Sequence, residues 1–435
     1  MKCKKLQAPQ SELKKICEEL GMRGKMDLGP IIKVVNDVLE DIRQNGDEAV
    51  FKYTKKFDKA DINASNVRVT DQEIADAIAS LDPNLLAVIK KSAANILAFH
   101  ENQVETGFKM DVGKGAEIGM RVRPISVAGI YVPGGTAPLP STVLMDVIPA
   151  KAAGCPRIVL CTPPRADGTV APVILAAASI AGATEIYKVG GSQAIAAMAY
   201  GTESIPRVDK ICGPGNIYVN TAKRLVFGQV DIDMFAGPSE ILIIADDSAV
   251  PEFVAADFLS QAEHDVLASA ILLTTSEKLA DAVYEAVDRR SEKSLRKEIL
   301  SKSLPTYCAI LVVDDMEAAI AFSEELAPEH LELCVAEPDN YIGRLNNAGA
   351  IFVGNYTPEP LGDYFAGPNH TLPTSGTARF FSPLNTGDFF KKISVLRYNE
   401  ESLRECYQDV AAFADAEGLE CHASAVRVRF EDERK

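Results

Sequence analysis

Tryptophan is absent from this 435-residue chain, and histidine is scarce: His100, His264, His330, His370 and His422 are the full set. So few imidazoles limit where neutral-pH base chemistry or a histidine-held metal can occur. No apolar stretch approaches the roughly 20 residues that span a bilayer. The basic opening, Met1–Gln10, is not followed by the apolar region of a signal peptide. A cytoplasmic location is therefore expected. The nine cysteines are odd in number, dispersed and without a C-x-x-C pair. Buried free thiols are expected rather than disulfides or a thiolate metal site. Long runs of one charge sign are missing, although 61 acidic residues outweigh 45 basic ones to give −16. Such a surface repels phosphate backbones and argues against a nucleic-acid partner. There is no low-complexity segment, no short-period repeat and no G-x-G-x-x-G fingerprint after a first strand.

What is present is an ordinary globular balance, 47% hydrophobic and 24% charged. At roughly 100–200 residues per domain, the length suits two to four domains. Residues 30 to 57 place Ile31, Ile32, Val35, Val38, Leu39 and Ile42, then Ala49, Val50 and Tyr53, at helical spacing around Asn45-Gly46-Asp47. The helical texture continues from 71 to 102. From about residue 120 apolar strands alternate with helices. Ile125 to Val132, Ile158 to Cys161, Glu185 to Val189 and Lys210 to Cys212 read as strands, each followed by a helical stretch. This alternation predicts a parallel sheet with covering helices. The pattern restarts after Phe235-Ala-Gly-Pro238, with strands at Ile241 to Ala245, Ala270 to Thr274, Ala309 to Val313 and Ala350 to Val353. Beyond about 380 the chain reads as irregular, then helical from Leu403 to Ala416. That last piece is too small to fold alone and is expected to dock on something.

Several short motifs carry candidate chemistry. Gln261-Ala-Glu-His264 closes an apolar helix, and residues three apart share a helical face, so Gln261 and His264 can hold one ion. Spacing alone fits a polar helix end equally well. Glu263 and Asp265 flank His264 and are expected to raise its basicity. Pro328-Glu329-His330 reads as a helix start, where the dipole favours an ionised Glu329 and a neutral His330, two general bases near neutral pH. Asp363 lies in a loop after a strand and is an oxygen-ligand candidate, with His370 close behind. Tyr131-Val-Pro-Gly-Gly135, Gly190-Gly-Ser-Gln193 and Gly213-Pro-Gly-Asn216 each end a strand of the first sheet. Glycine there permits close approach of a phosphate to backbone N–H groups at a helix start.

Taken together these motifs resemble the histidinol dehydrogenase family, over nearly the whole chain from about residue 30. The strongest stretches are Phe235-Ala-Gly-Pro-Ser-Glu240, Ser260-Gln-Ala-Glu-His-Asp265, Ala327-Pro-Glu-His-Leu-Glu332 and 355 to 382. The resemblance implies one zinc ion per subunit, held by Gln261, His264, Asp363 and His422. It implies Glu329 and His330 as the paired bases. Substrate contacts would be Ser239, His330, His370 and Glu417 besides the zinc ligands. Contacts to NAD+ would be Tyr131, Gln193 and Asn216. The implied activity is oxidation of L-histidinol to L-histidine with two NAD+. The implied partner is a second copy of the chain, with Glu417 and His422 acting in the neighbouring subunit's site.

The expected fold is α/β: two Rossmann-like parallel-sheet domains in one chain, the second inserted in the first, with a helical N-terminal segment and a small C-terminal dimerisation segment. The boundaries would be 1–27 for the N-terminal segment, 28–124 with 240–380 for the zinc-bearing domain, 125–239 for the NAD side and 381–435 for the dimerisation segment. Two other classes fit parts of the pattern. A zinc hydrolase would leave the three glycine-ended strands without use. A non-catalytic metabolite-binding protein would not need Glu329 or His330.

Overall fold

The computed structural model describes residues 2–21, 28–134, 138–235 and 237–431. Gly135 and Ala236, which belong to two of the glycine motifs above, lie outside the described residues. The chain divides into a large unit, Met1–Gln103 with Ile125–Phe389, and a small one, Val104–Pro124 with Phe390–Lys435.

The large unit holds two parallel sheets, as the strand–helix alternation predicts. The first has five strands in the spatial order Glu185–Lys188, Arg157–Thr162, Val127–Tyr131, Lys210–Cys212, Asp231–Ile232. The chain runs outward from Val127–Tyr131 to one edge and then returns to the other side. The direction therefore reverses beside Val127–Tyr131, the position at which open α/β sheets form a ligand crevice. The second sheet has six strands in the order Lys4–Gln7, Ala309–Val312, Ser269–Thr274, Glu240–Ala245, His330–Cys334, Ala350–Val353. Its central strands are buried on both faces, which explains their unbroken apolar runs.

Two expected groupings differ from what is observed. The N-terminal segment is not only helical. Lys4–Gln7 adds an edge strand beside Ala309–Val312, and helix Gln10–Gly21 packs on helix Met316–Leu326 through Leu13, Cys17 and Leu20. Four residues with exposed side chains carry no apolar strand signal; the edge of the sheet supplies the backbone partners that make them a strand. The helices between 29 and 101 were expected with the six-stranded sheet, but they pack on the helices of the five-stranded one. Val35, Val38, Leu39 and Ile42 share a core with Ile195, Met198 and Val219. Helix Gly29–Phe57 bends at Gly46, whose φ of 52° interrupts the helical backbone, so the paired-helix pattern around Asn45-Gly46-Asp47 is real.

The small unit is an antiparallel sheet, Phe108–Gly113, Ala116–Pro124 and Phe390–Arg397, with helices Glu400–Ala416 and Glu420–Arg427. In the sequence analysis the chain beyond about 380 reads as irregular and 108–124 is passed over, although Phe108, Met110 and Val112, then Ile118, Met120 and Val122, alternate with polar residues or glycine.

Candidate active site

His330 is the first residue of strand His330–Cys334, between Glu240–Ala245 and Ala350–Val353. The expected helix start is not there. Helix Met316–Leu326 ends at Ala327, whose φ of 50° is left-handed, and Pro328 then leads into extended chain. Proline suits a strand's approach as well as a helix's first turn. No helix dipole therefore acts on Glu329 and His330; the neighbouring strand positions both side chains. Glu240 N–H donates to Glu329 Oε2 at 2.8 Å, and Glu240 C=O lies 3.0 Å from His330 Nδ1. A carbonyl can only accept, so Nδ1 carries the proton and Nε2 is the bare, basic nitrogen. Burial lowers the His330 pKa despite the opposing Asp363 charge, so the ring is neutral near pH 7. Nε2 is buried and has no hydrogen-bond partner. It faces Glu359 Oε1 at 3.8 Å and Asp363 Oδ1 at 3.9 Å. Glu329 stands on the other side of the ring, with Oε2 3.6 Å from Nδ1.

Asp363 sits on the short helix Glu359–Tyr364. Burial opposes its ionisation, but the hydrogen bond and charge of His370, together with His330, hold it well below the ordinary carboxylate range. His370 Nδ1 is 3.6 Å from Asp363 Oδ1, and this pairing raises the His370 pKa against the effect of burial. Glu359 goes the other way. Burial and the Asp363 carboxylate push it up to about 10, so it is protonated at neutral pH. Behind it, burial and Asp257 push Glu332 well up, and Glu332 Oε1 accepts the Glu359 N–H at 2.8 Å. Reading the sequence alone overlooked Glu359. The signal was its spacing to Asp363, four residues apart and so on one face of a helical turn. Pro358, Pro360 and Gly362 disguised that turn as a loop.

His330, Glu359 and Asp363 form a metal-capable group, with ligand atoms all within 4.8 Å of one another. The expected zinc ligands overlap it at Asp363. Gln261 lies in the last turn of helix Pro251–Ala262, fully buried, with neither amide atom hydrogen-bonded. A native amide seldom gives up both partners without a ligand, so this orphaned group fits an ion site. His264 lies just beyond the helix, its N–H donating to Gln261 C=O at 3.1 Å. The two are thus neighbours across a helix end rather than along a helical face. His264 is exposed as a residue, yet the protein packed around its ring lowers its pKa by desolvation, and this outweighs Asp363 and Glu263. The expected rise in basicity does not occur; a neutral imidazole, the form that binds metal, results. Ser239 directly precedes strand Glu240–Ala245, and its C=O accepts the Ser269 N–H at 3.1 Å.

At the five-stranded sheet Tyr131 and Gln193 are brought together and Asn216 caps a neighbouring helix. The Tyr131 hydroxyl accepts the Gly191 N–H at 3.1 Å. Gln193 is fully buried, with Oε1 unpartnered. Asn216 is exposed and caps helix Ile217–Val226 through Oδ1. Gly213 must be glycine, because its φ is 121° and a Cβ would meet Tyr131 O at 2.0 Å. Its two backbone polar groups are held by a buried ion pair: Lys223 Nζ donates to Gly213 C=O at 2.9 Å, and Gly213 N–H donates to Asp233 Oδ2 at 2.8 Å. Glu417 and His422 belong to the small unit and are exposed, beside the exposed apolar side chains of Phe413 and Leu419.

Comparison with known proteins agrees over the full length. The histidinol dehydrogenase family profile matches residues 22–430. The histidinol dehydrogenase of Caldanaerobacter subterraneus subsp. tengcongensis is 51% identical over 415 residues, 95% of this chain and 96% of that protein. That of Bacillus subtilis is 50% identical over 414 residues, 95% and 96% of the two chains. The crystal structure of histidinol dehydrogenase from Elizabethkingia anophelis superposes with a TM-score of 0.93 at 42% identity, covering 100% of this chain and 99% of that one. With motifs, fold and relatives in agreement, the chain belongs to the histidinol dehydrogenase family.

Proposed function

We propose that this protein oxidises L-histidinol to L-histidine in two steps, reducing two NAD+. The observation that carries the reading is His330 Nε2: buried, unprotonated, unpartnered, and facing the Asp363 and Glu359 carboxyl groups. A base held this way, with its second nitrogen tied to the Glu240 carbonyl, has one place to receive a proton. His330 takes the hydroxyl proton as hydride leaves the carbinol carbon, giving an aldehyde. Glu329 assists addition of water to that aldehyde, giving the hydrate. His330 then takes a hydrate proton in the second oxidation, and the product is the carboxylate. Its low pKa lets His330 shed each proton between steps at neutral pH.

When bound, NAD+ accepts the hydrides, and zinc holds the substrate's imidazole and amino nitrogens in place. Gln261, His264 and Asp363 are the residues of the large unit that would hold the metal. Gln261 fits through its orphaned amide, His264 through its neutral ring and Asp363 through its ionised carboxylate. Ser239, His370 and Glu417 are proposed substrate contacts; Tyr131, Gln193 and Asn216 are proposed NAD+ contacts. The exposed Phe413 and Leu419 beside Glu417 and His422 suit burial in a homodimer that brings Glu417 and His422 to the neighbouring subunit's site.

The test is NADH formation on adding L-histidinol to the purified protein, with and without chelator. Two NADH per histidinol, abolished by chelation and restored by zinc, is the expected result. No NADH from zinc-loaded protein would sink the reading and favour a hydrolase. Truncation before Glu417 should remove both zinc and activity; an active, zinc-loaded truncate would refute the trans arrangement.

A further inference from the structure

The crevice of the five-stranded sheet contains a carboxylate that the residues already assigned do not explain. Asp58 follows the last residue of helix Gly29–Phe57, and its N–H closes that helix on Thr54 C=O at 2.9 Å. Lys59 then takes a left-handed φ of 62°, turning the chain sharply. The turn delivers the Asp58 side chain to the C-terminal ends of the parallel strands. There Gln193 Nε2 donates to Asp58 Oδ2 at 3.2 Å. The Tyr131 ring is close enough to feel the Asp58 charge. Tyr131 ends the strand beside which the sheet reverses direction, and Gln193 lies in the first turn of helix Gly191–Tyr200.

The donor and acceptor balance here is one-sided. Gln193 gives one of its two Nε2 hydrogens to Asp58 and presents Oε1, fully buried and without a donor. The Asp58 carboxylate also only accepts. Two acceptors side by side suit the hydrogen-bond donors of a ligand. A dinucleotide's pyrophosphate is itself an anionic acceptor and cannot face a carboxylate. Its ribose hydroxyls are donors and can. Among the described residues no lysine or arginine pairs with Asp58. Lys188, the basic residue ending the neighbouring strand, is held by Glu73. A carboxylate on a ribose hydroxyl favours NAD+, whereas an arginine or lysine is what accommodates the extra phosphate of NADP+.

We propose that Asp58 is the residue by which this crevice selects NAD+ over NADP+, its carboxylate accepting a hydrogen bond from an adenosine ribose hydroxyl and repelling a phosphate there. This rests on the reading that Tyr131 and Gln193 line the dinucleotide site. The side chain is dispensable for the helix end, which uses the backbone N–H of Asp58. Asp58→Ala and Asp58→Asn should therefore fold, which circular dichroism and thermal melts check.

The experiment titrates full-length wild type, Asp58→Ala and Asp58→Asn with NADH and with NADPH by calorimetry, without histidinol. Wild type should bind NADH the more tightly. Asp58→Ala should lose about tenfold in NADH affinity, the scale of one hydrogen bond to a charged group. Asp58→Asn keeps an oxygen for Gln193 Nε2 and removes the charge, so it should bind NADPH more tightly than wild type does. If Asp58→Ala folds and leaves both affinities unchanged, the proposal is overturned. If Asp58→Asn leaves the NADH-to-NADPH ratio at the wild-type value, Asp58 only tethers Gln193 and the selectivity role is overturned. If wild type binds neither dinucleotide, the NAD+ reading itself fails, and that result is distinct from the other two.

Discussion

Two buried polar regions in the large unit handle charge in opposite ways. At the five-stranded sheet, Lys223 and Asp233 are both fully buried and bind each other and the two backbone polar groups of Gly213. Each charge has a counter-charge, and the backbone of the glycine turn is satisfied. At the end of the six-stranded sheet, His330 Nε2, both amide atoms of Gln261, Glu332 Oε2 and Glu359 Oε1 are buried without hydrogen-bond partners. Burial of a polar group without a partner costs free energy. The first region holds a loop in shape. The second leaves its polar atoms open, and the proposed function fills them with metal and substrate.

The sharpest way to break this comparison is His330→Asn. Loss of the base should cost about 10²–10⁴ in turnover with the fold retained, the range for removing a general base. A variant within threefold of wild type in NADH formation would show that the open nitrogen is incidental. Next in size is Lys223→Met, which strands a buried Asp233 carboxylate. Denaturant unfolding should show a loss of about 3–5 kcal/mol, with Lys223→Met/Asp233→Leu recovering much of it. An unchanged midpoint would mean that the closed pair contributes little.

Gln261→Leu tests the open region in the reverse direction. Removing an unsatisfied amide should stabilise the metal-free protein by about 1–3 kcal/mol and abolish zinc retention measured by metal analysis. Loss of stability instead would show that the Gln261 amide is satisfied in the metal-free protein. The smallest effect concerns His100, buried with Nδ1 2.6 Å from Gln103 Oε1. Burial lowers its pKa in the folded state. The unfolded chain therefore binds a proton first, so stability is complete above pH about 6.5 and falls below it. The slope is at most about 1.4 kcal/mol per pH unit for one group. His100→Gln should flatten that slope in denaturant midpoints measured between pH 7 and 5; an unchanged slope would assign the acid sensitivity to other groups.

Much of this was legible from residue patterns. Long apolar runs such as Ile241 to Ala245 can only be strands buried on both faces, so the two parallel sheets follow from alternation with helices. Gly213 and Gly190 marked strand ends because tight turns and close approaches restrict side chains there. Other features depended on neighbours distant in sequence. Pro328-Glu329-His330 fits a helix start or a strand start locally; pairing with Glu240–Ala245 decides for the strand. Glu359 was hidden in a proline-rich stretch, and Asp58 at a helix end 135 residues before Gln193 in sequence.

The sequence by itself determined the strand–helix alternation of the two parallel sheets, that His330 and Asp363 are candidates for chemistry, and which family the chain resembles, because periodicity and motif order are local and linear properties. Only the tertiary structure decided which imidazole nitrogen is free, which carboxyl groups are ionised and which buried atoms lack partners. Protonation and hydrogen bonding depend on desolvation and on charges a few ångströms away, and those neighbours come from strands far apart in the chain.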